Sequence, residues 1–255
     1  MKKIFLLIDA DAMVYASSVV SKEESDDGFQ HDLEEGKLKF DNILHHLTSH
    51  FEDMGIDFEY ILFLEGEGNI RKSLVDTYKL NRKDKPEPPL RREIARYATE
   101  HYNSFISTNV ESDDTLSATW YKYHRKYDLI ICSMDKDLKQ LPCTFYDTYY
   151  GRDDSERICK ISPQEGERNF WRQMLIGDVA DGVDGIKGMG KARTNKLIPD
   201  SLSSPSAMAS RVYRKYIEQY GISKGRVEFF KAYHLMRLPK TGVAIPKLEE
   251  YLMFS

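Results

Sequence analysis

The chain has 255 residues, 41% hydrophobic and 31% charged, with a formal net charge of −4. That composition describes a globular chain with a core of ordinary size and excludes bulk disorder. The longest N-terminal apolar run, Ile4–Ile8, is too short for a signal peptide, and no run approaches the roughly 20 residues of a membrane span, so the reading is cytoplasmic (host cytoplasm for a viral chain) with no membrane partner.

In chain order, Ile4–Ile8, Tyr60–Leu64, Ser104–Thr108 and Leu129–Cys132 read as buried strands. Phe40–Met54, Leu90–His101 and Asp114–Arg125 between them show helical spacing. This alternation predicts an α/β fold: a mainly parallel central sheet flanked by helices. Thr144–Tyr149 and Ile158–Ile161 flank a polar turn and predict a hairpin at the sheet edge. Ser21–Lys39 is polar and without a steady period, so it reads as a long loop, and Lys83–Pro89 as a Pro-rich break. From Ser162 the pattern is helical: Phe170–Ile176, Lys191–Ile198, Ala207–Tyr220 and Lys224–Leu238. The expected division is an α/β core over 1–161 and a helical region over 162–255.

Charge is unevenly spread. Ile70–Arg96 holds nine bases against four acids, and Lys187–Lys247 thirteen against three. Two basic tracts in a weakly acidic chain point to a polyanion partner with an acidic pocket elsewhere, although solvated faces read the same way. Cys132, Cys143 and Cys159 are widely spaced and read as reduced structural thiols. His45, His46 and His50 lie far from any acidic cluster, and Trp120 and Trp171 are assigned to core.

Ligands of open α/β sheets collect beyond the carboxyl ends of the strands. There the sequence places Asp9 and Asp11; Glu65 and Glu67; Glu111, Asp113 and Asp114; and Asp135 and Asp137. GDVAD adds Asp178 and Asp181, spaced for one face of a helical turn at the start of the helical half. Asp114 and Asp135 also suit helix caps. Two carboxylates about 5 Å apart repel by roughly 3 kcal/mol at an effective dielectric near 20, so such a cluster needs protons or cations. Oxygen-only ligation without His or Cys suits Mg²⁺ or Mn²⁺, and two such ions suit phosphodiester hydrolysis. The basic stretch from Arg71 to Arg82 follows the second strand and is placed to offset the remaining negative charge.

Gly182–Ala192, GVDGIKGMGKA, nearly spells a P-loop, but Ala192 stands where Ser or Thr is required. The alternatives are a helix–turn–helix variant that brings backbone to a DNA phosphate or a monovalent cation, with Lys187, Lys191, Arg193 and Lys196 nearby, and a purely structural turn.

The pieces LIDADAMVY, NIRKSLVDTYKLNR, ESDDTLSA, SMDKDLKQL and LIGDVADGVDGIKGMGKARTNKLI together resemble the flap endonuclease / 5′→3′ exonuclease family in its compact bacteriophage and bacterial form, from about Lys3 to Pro199. The resemblance implies a PIN-like nuclease fold with a basic arch or gateway segment at about 70–96 and a helix–three-turn–helix motif at about 174–198. It implies a Mg²⁺-dependent 5′-nuclease with two ions, Mn²⁺ able to substitute and K⁺ at the glycine-rich turn. One ion would lie near Asp9, Glu65, Glu111 and Asp113, with Asp114 close by. The second would lie near Asp135, Asp137, Asp178 and Asp181. Lys79 and Arg82 match the basic residues that meet the scissile phosphate. Gly185, Gly188 and Gly190 match the duplex-gripping motif. Arg71, Lys72, Tyr78, Lys191 and Lys196 are the further candidate DNA contacts, Tyr78 with core packing as its alternative.

Implied partners are DNA with free 5′ ends, flaps or nicks, RNA–DNA hybrids, and replication proteins such as a polymerase or a single-strand-binding protein. Three departures stand out. Glu65 replaces the usual Asp, leaving Glu67 as an alternative ligand; Met134 replaces a small residue; and the match fades beyond Ile198. No polymerase region follows, which fits a free-standing nuclease. The rival readings are a PIN-type ribonuclease, an RNA-primer-removing nuclease and a non-catalytic DNA-structure-binding protein.

Overall fold

The computed structural model describes residues 2–19, 21–25, 28–82, 86–149 and 157–252. Its centre is a six-stranded sheet of β1 (Ile4–Asp9), β4 (Phe58–Glu65), β5 (Ser104–Ser107), β6 (Asp128–Ser133), β7 (Thr144–Asp147) and β8 (Ile158–Lys160), in the order β5-β4-β1-β6-β7-β8. All neighbours are parallel except β7 and β8, which close the edge as an antiparallel pair. The hairpin expected from Thr144–Tyr149 and Ile158–Ile161 is therefore present; most of its polar turn lies outside the described residues.

Both faces of the sheet are covered, and the period of two along β1 shows how. Phe5 and Leu7 point into one core with Ile61, Phe63, Leu116, Trp120 and Ile131, and Leu6 and Ile8 into the other with Phe40, Leu44, Phe51, Leu62 and Ile94. Each fully buried Leu, Ile or Phe contributes about 1.5–3 kcal/mol, so β1 anchors the sheet from its middle. Helix α5 (Ser112–Tyr123) covers the first face; α1 (Asp11–Ser17), α2 (Leu33–Asp53) and α4 (Arg91–His101) cover the second. Leu238 and Leu248 also belong to the first core, so the C-terminal segment returns from the helical half to the sheet.

The stretch 21–39 is not a long loop. It holds the antiparallel pair β2 (Ser21–Ser25) and β3 (Gly28–His31) and the first turns of α2. Asp32 caps that helix by accepting from the amides of Glu34 and Glu35, and its first turn carries two acids. These are helix-start signals; the polar first turns hid the periodicity, which begins only at Phe40.

Between β4 and α4 the chain forms the short α3 (Ile70–Leu74) and a 3₁₀ turn, Leu80–Arg82. Residues 83–85 of the Pro-rich break lie outside the described residues. The second half is helical: α6 (Pro163–Ile176), α7 (Lys191–Leu197), α8 (Pro205–Tyr220) and α9 (Ile222–Met236), packed around Phe170, Trp171, Met174, Tyr216 and Phe229. Trp120 and Trp171 are both buried, as expected. Among the described residues no helix is long and apolar enough to cross a membrane.

GDVAD departs from expectation. Gly177, at φ +80, ends α6, and Gly177–Asp178 (β9) pairs antiparallel with Val183–Asp184 (β10). A Cβ on Gly177 would lie 2.3 Å from the Gly185 nitrogen, and one on Gly185 2.2 Å from the Ile176 oxygen. Backbone crosses backbone here, which only glycine permits.

Candidate active site

The chain order runs outward from β1 to β4 and β5, then restarts on the other side with β6, so the strand order reverses beside β1. A crevice opens at the carboxyl ends at such a point. Here it is a cavity of about 410 Å³ lined by Asp9, Asp11, Glu65, Glu111, Asp113, Asp135, Asp137, Asp178 and Asp181, with Lys79 and Lys136. Nine acids against two lysines leave a formal charge of −7. The acids come from five separate segments: the ends of β1 and β4, the start of α5, the turn after β6, and the β9–β10 turn.

Local structure aims them. Asp135 accepts from the Asp137 amide at 2.7 Å and starts a 3₁₀ turn, Lys136–Gln140, so its cap reading holds alongside its place in the cavity. Asp178 accepts from the amides of Ala180 (2.9 Å) and Asp181 (3.3 Å), turning the chain so that both acids face inward. The pair is thus joined by a side-chain-stabilised turn between two short strands, not by a helical face. Glu65 lines the cavity, whereas Glu67 is exposed and absent from it, which separates the two alternatives by position.

At one end of the cavity lies a network of opposite charges. Arg71 is 5% exposed and donates to Glu111 at 3.0 Å and to both oxygens of Asp114. Lys79 pairs with Glu111 and lies 3.8 Å from Asp181. The Tyr78 hydroxyl donates to Glu111 and to Asp181, each at 3.1 Å, and Asn69 donates to Glu111 at 2.7 Å. Burial alone would raise the Glu111 pKa, yet Lys79 and Arg71 hold it below its usual value. Burial pushes Asp114 up despite Arg71, and Tyr78 far above its ordinary value.

Two expectations change here. Arg71 and Tyr78 are interior groups bound to carboxylates and are not presented to a DNA strand. Asp114 serves as cap and Arg71 partner and does not line the cavity.

Elsewhere the carboxylates crowd one another. Burial and then Asp11 raise Asp9 to about 7; burial, then Asp135 and Asp178, raise Asp137 to about 7. Burial followed by Asp9 and Asp135 carries Asp113 well above the carboxylate range. Opposing this, Lys136 sits 3.0 Å from Asp178, and its hydrogen bond and charge keep that carboxyl low although burial raises it.

The donor set is oxygen only, which suits hard divalent cations such as Mg²⁺ or Mn²⁺. Among the described residues no three of these side chains already stand in a ligating arrangement. Five of them are drawn to internal partners: Asp9 to the Ser133 hydroxyl (2.7 Å), Asp11 to the Glu65 amide (2.9 Å), Asp137 to Gln173 (2.6 Å), Glu111 and Asp178 to lysines. Asn69, Ser133, Lys136 and Gln173 are site residues that the sequence reading does not name, and they carry no spacing signal; Asp11 is named among the strand-end acids but assigned to neither ion.

Lys79 has φ 54, a conformation rare for a residue with a Cβ, and its amide donates to the Asp181 carbonyl at 2.8 Å. The segment after α3 is thus pinned to the β9–β10 turn. Arg82 lies one turn on, its side chain outside the described residues. Lys72 is exposed on α3, and Lys191 and Lys196 on α7; Gly188 has φ +79, and Gly190 caps α7. Gly185 acts as a backbone crossing point against Ile176 and Gly177.

No family model matches the chain. DNA polymerase I of Rhizobium leguminosarum is 30% identical over 148 residues, 55% of this chain and 15% of that protein, so the chain spans a small part of the relative's length. Among solved structures, a bacteriophage T5 flap endonuclease pseudo-enzyme–product complex with DNA and metal ions has a TM-score of 0.63 at 15% identity, covering 93% of this chain and 90% of that one. T5 5′-exonuclease with bound zinc gives 0.57 at 12% identity, with 92% and 100% covered. The catalytic core of Rad2 in complex with DNA substrate gives 0.54 at 12% identity, with 98% and 86% covered. Motifs and architecture agree: this chain has the PIN-like fold seen in the flap endonuclease and 5′-exonuclease structures.

Proposed function

We propose that the protein is a divalent-cation-dependent 5′-nuclease of the flap endonuclease / 5′→3′ exonuclease family, hydrolysing DNA phosphodiesters near free 5′ ends, flaps or nicks during replication or DNA processing. The observation that carries this reading is the cavity itself, where nine carboxylates from five segments meet with only two lysines lining it. A charge of that size within one cavity opposes folding unless protons or cations compensate it, and near neutral pH divalent cations are the effective means. The likeness to structures solved with metal ions and with DNA supports the same reading.

Asp9, Glu65, Glu111 and Asp113 would hold one Mg²⁺, and Asp135, Asp137, Asp178 and Asp181 the other. Such a pair supplies the Lewis acidity that phosphodiester hydrolysis requires. The chain's own residues do the rest. Lys79, held between Glu111 and Asp181, is placed to exchange those carboxylates for a phosphate once cations neutralise them. Arg71 and Tyr78 keep Glu111 oriented from behind. Lys72 and Arg82 would line the approach of the 5′ strand.

The helical half, 162–255, would grip adjacent duplex through its backbone: the turn with Gly188 and Gly190 brings the chain close, a K⁺ ion would suit it, and Lys191 and Lys196 supply charge. Phosphate contacts of this kind carry no sequence preference.

The test is a Mg²⁺ titration of cleavage on matched flap, nicked and blunt DNA, with RNA–DNA hybrid and single-stranded RNA as comparison substrates. Metal-dependent products released from DNA 5′ ends are expected. Preference for the hybrid would make the protein a primer-removing nuclease, and preference for RNA alone a PIN-type ribonuclease. Flap binding without cleavage in any divalent metal would leave only a structure-binding protein.

A further inference from the structure

Asp137, which faces the cavity from the turn after β6, also has a partner behind it. Gln173, on α6, donates its side-chain nitrogen to Asp137 Oδ1 at 2.6 Å. Gln173 Oε1 in turn accepts from Gln140 Nε2 at 3.3 Å, and the same Gln140 nitrogen donates to the Met236 carbonyl at 2.8 Å. Gln140 is 7% exposed, and its own Oε1 is buried without a hydrogen-bond partner.

The direction of this relay is forced from its far end. A main-chain carbonyl can only accept, so Gln140 must turn its amide nitrogen toward Met236. That nitrogen's second hydrogen then meets Gln173, which must present its oxygen. Gln173 is left with only its nitrogen for Asp137. A buried amide oxygen without a partner costs about 1–3 kcal/mol, and its presence at Gln140 shows that the polarity is held against a local cost.

The reach of Gln173 is fixed by packing as well. Helix α6 lies against the 3₁₀ turn that carries Asp137 and Gln140 so closely that a Cβ on Gly166 would sit 2.4 Å from the Gln140 carbonyl oxygen. Asn169, on the same helix, donates to the Lys139 carbonyl at 2.8 Å. Helix, turn and the C-terminal end of α9 are therefore locked together at the back of the cavity.

We infer that Gln173 is a positioning residue for Asp137, oriented by Gln140, and that it commits Oδ1 of Asp137 to the protein while leaving Oδ2 to a divalent cation. This rests on the proposed cation-dependent function. The hydrogen-bond partners behind a metal-ligating group typically matter 10–100-fold in metal affinity or activity. The relay also ties Asp137 to α9, so the helical half that would hold duplex shares a rigid connection with the cleavage site.

The experiment compares wild type with Gln173→Met, close in volume but without a donor, and with Gln140→Met, which removes the orienting group. Calorimetry with Ca²⁺ or Mn²⁺ measures cation binding directly; Mg²⁺-dependent turnover, KM for flap DNA and thermal midpoint are measured in parallel. Gln173→Met is expected to weaken cation binding and raise the half-saturating Mg²⁺ by about 10–100-fold, with KM for DNA within about 2-fold. Gln140→Met should move the same quantities in the same direction by less. A thermal shift with unchanged cation binding would make Gln173 structural and overturn the inference, as would a wild type that binds no divalent cation. A wild type that binds cations but cleaves no DNA would defeat the functional reading alone, and weakened cation binding in Gln173→Met would still uphold the positioning role.

Discussion

At one end of the cavity Glu111 and Asp114 lie against Arg71, with Lys79, Tyr78 and Asn69 completing the shell around Glu111. Across the cavity Asp9, Asp113 and Asp137 face one another, and no ion pair reaches these three among the described residues. The two ends have the same residue chemistry and opposite electrostatics. In the first the chain supplies its own cations, so Glu111 stays ionised below its usual pKa. In the second Lys136 offsets part of the repulsion on Asp137, and protons or ions from solution must relieve the rest. A charged cluster is therefore informative about bound cations where the chain withholds a counter-charge.

The sharpest way to break the comparison is to neutralise one acid at each end. Asp113→Asn should lower metal-dependent cleavage by at least about 100-fold, since it would remove a candidate ligand directly. In chelator the same change should raise the thermal midpoint, by about 2–4 °C for each kcal/mol of repulsion relieved. Glu111→Gln should also impair cleavage but lower the midpoint, because it removes the carboxylate charge that Lys79 and Arg71 share and leaves them only Asp181 and Asp114. A lower midpoint in both variants would show that the two ends do not differ.

Arg71 gives the next largest effect. Arg71→Met leaves Glu111 and Asp114 buried without their guanidinium, and breaking such a pair costs about 3–5 kcal/mol. Urea unfolding would measure it. A loss below about 1 kcal/mol would mean that Arg71 does not stabilise the buried carboxylates beside it.

The pH dependence separates the ends without mutation. Asp9 and Asp137 rise from 3.8 to about 7, so the folded chain binds their protons more tightly than the unfolded chain does. Their contribution to stability falls as pH rises from about 4 to about 7. Glu111 and Asp178 are lowered, so their contribution is present above the unfolded values and lost as pH falls below them. Metal-free protein should thus be most stable in mildly acid solution, and saturating Mg²⁺ should flatten the decline toward neutrality. A midpoint that climbs from pH 5 to 8 in chelator would contradict the crowded end.

Much of this arrangement was legible in the sequence for a physical reason. Strands buried on both faces are short, continuous and apolar, so β1, β4 and β6 and the acids beyond them stand out; β5 reads as a buried strand too, but it lies at the sheet edge with Ile106 half exposed. What depends on distant partners did not. Arg71 and Tyr78 sit in a basic, aromatic stretch that reads as a DNA-facing surface, and only the fold brings Glu111 and Asp114 to them. The turn joining Asp178 to Asp181 looked helical because a spacing of three suits both a helical face and a capped turn. Gln173 and Gln140 have no local signature, since their role lies in a hydrogen-bond direction set at Met236.

The smallest expected effects lie in the helical half, where charge is exposed. Lys196→Ala should weaken binding to nicked duplex and lower the slope of log affinity against log salt by about 0.9 for each phosphate that is no longer neutralised. Lys79→Ala, by contrast, should slow cleavage more than it weakens binding, because Lys79 is held among site carboxylates. Equal slopes for wild type and Lys196→Ala would remove α7 from the duplex interface, and would leave the exposed lysines of that helix as a solvated face.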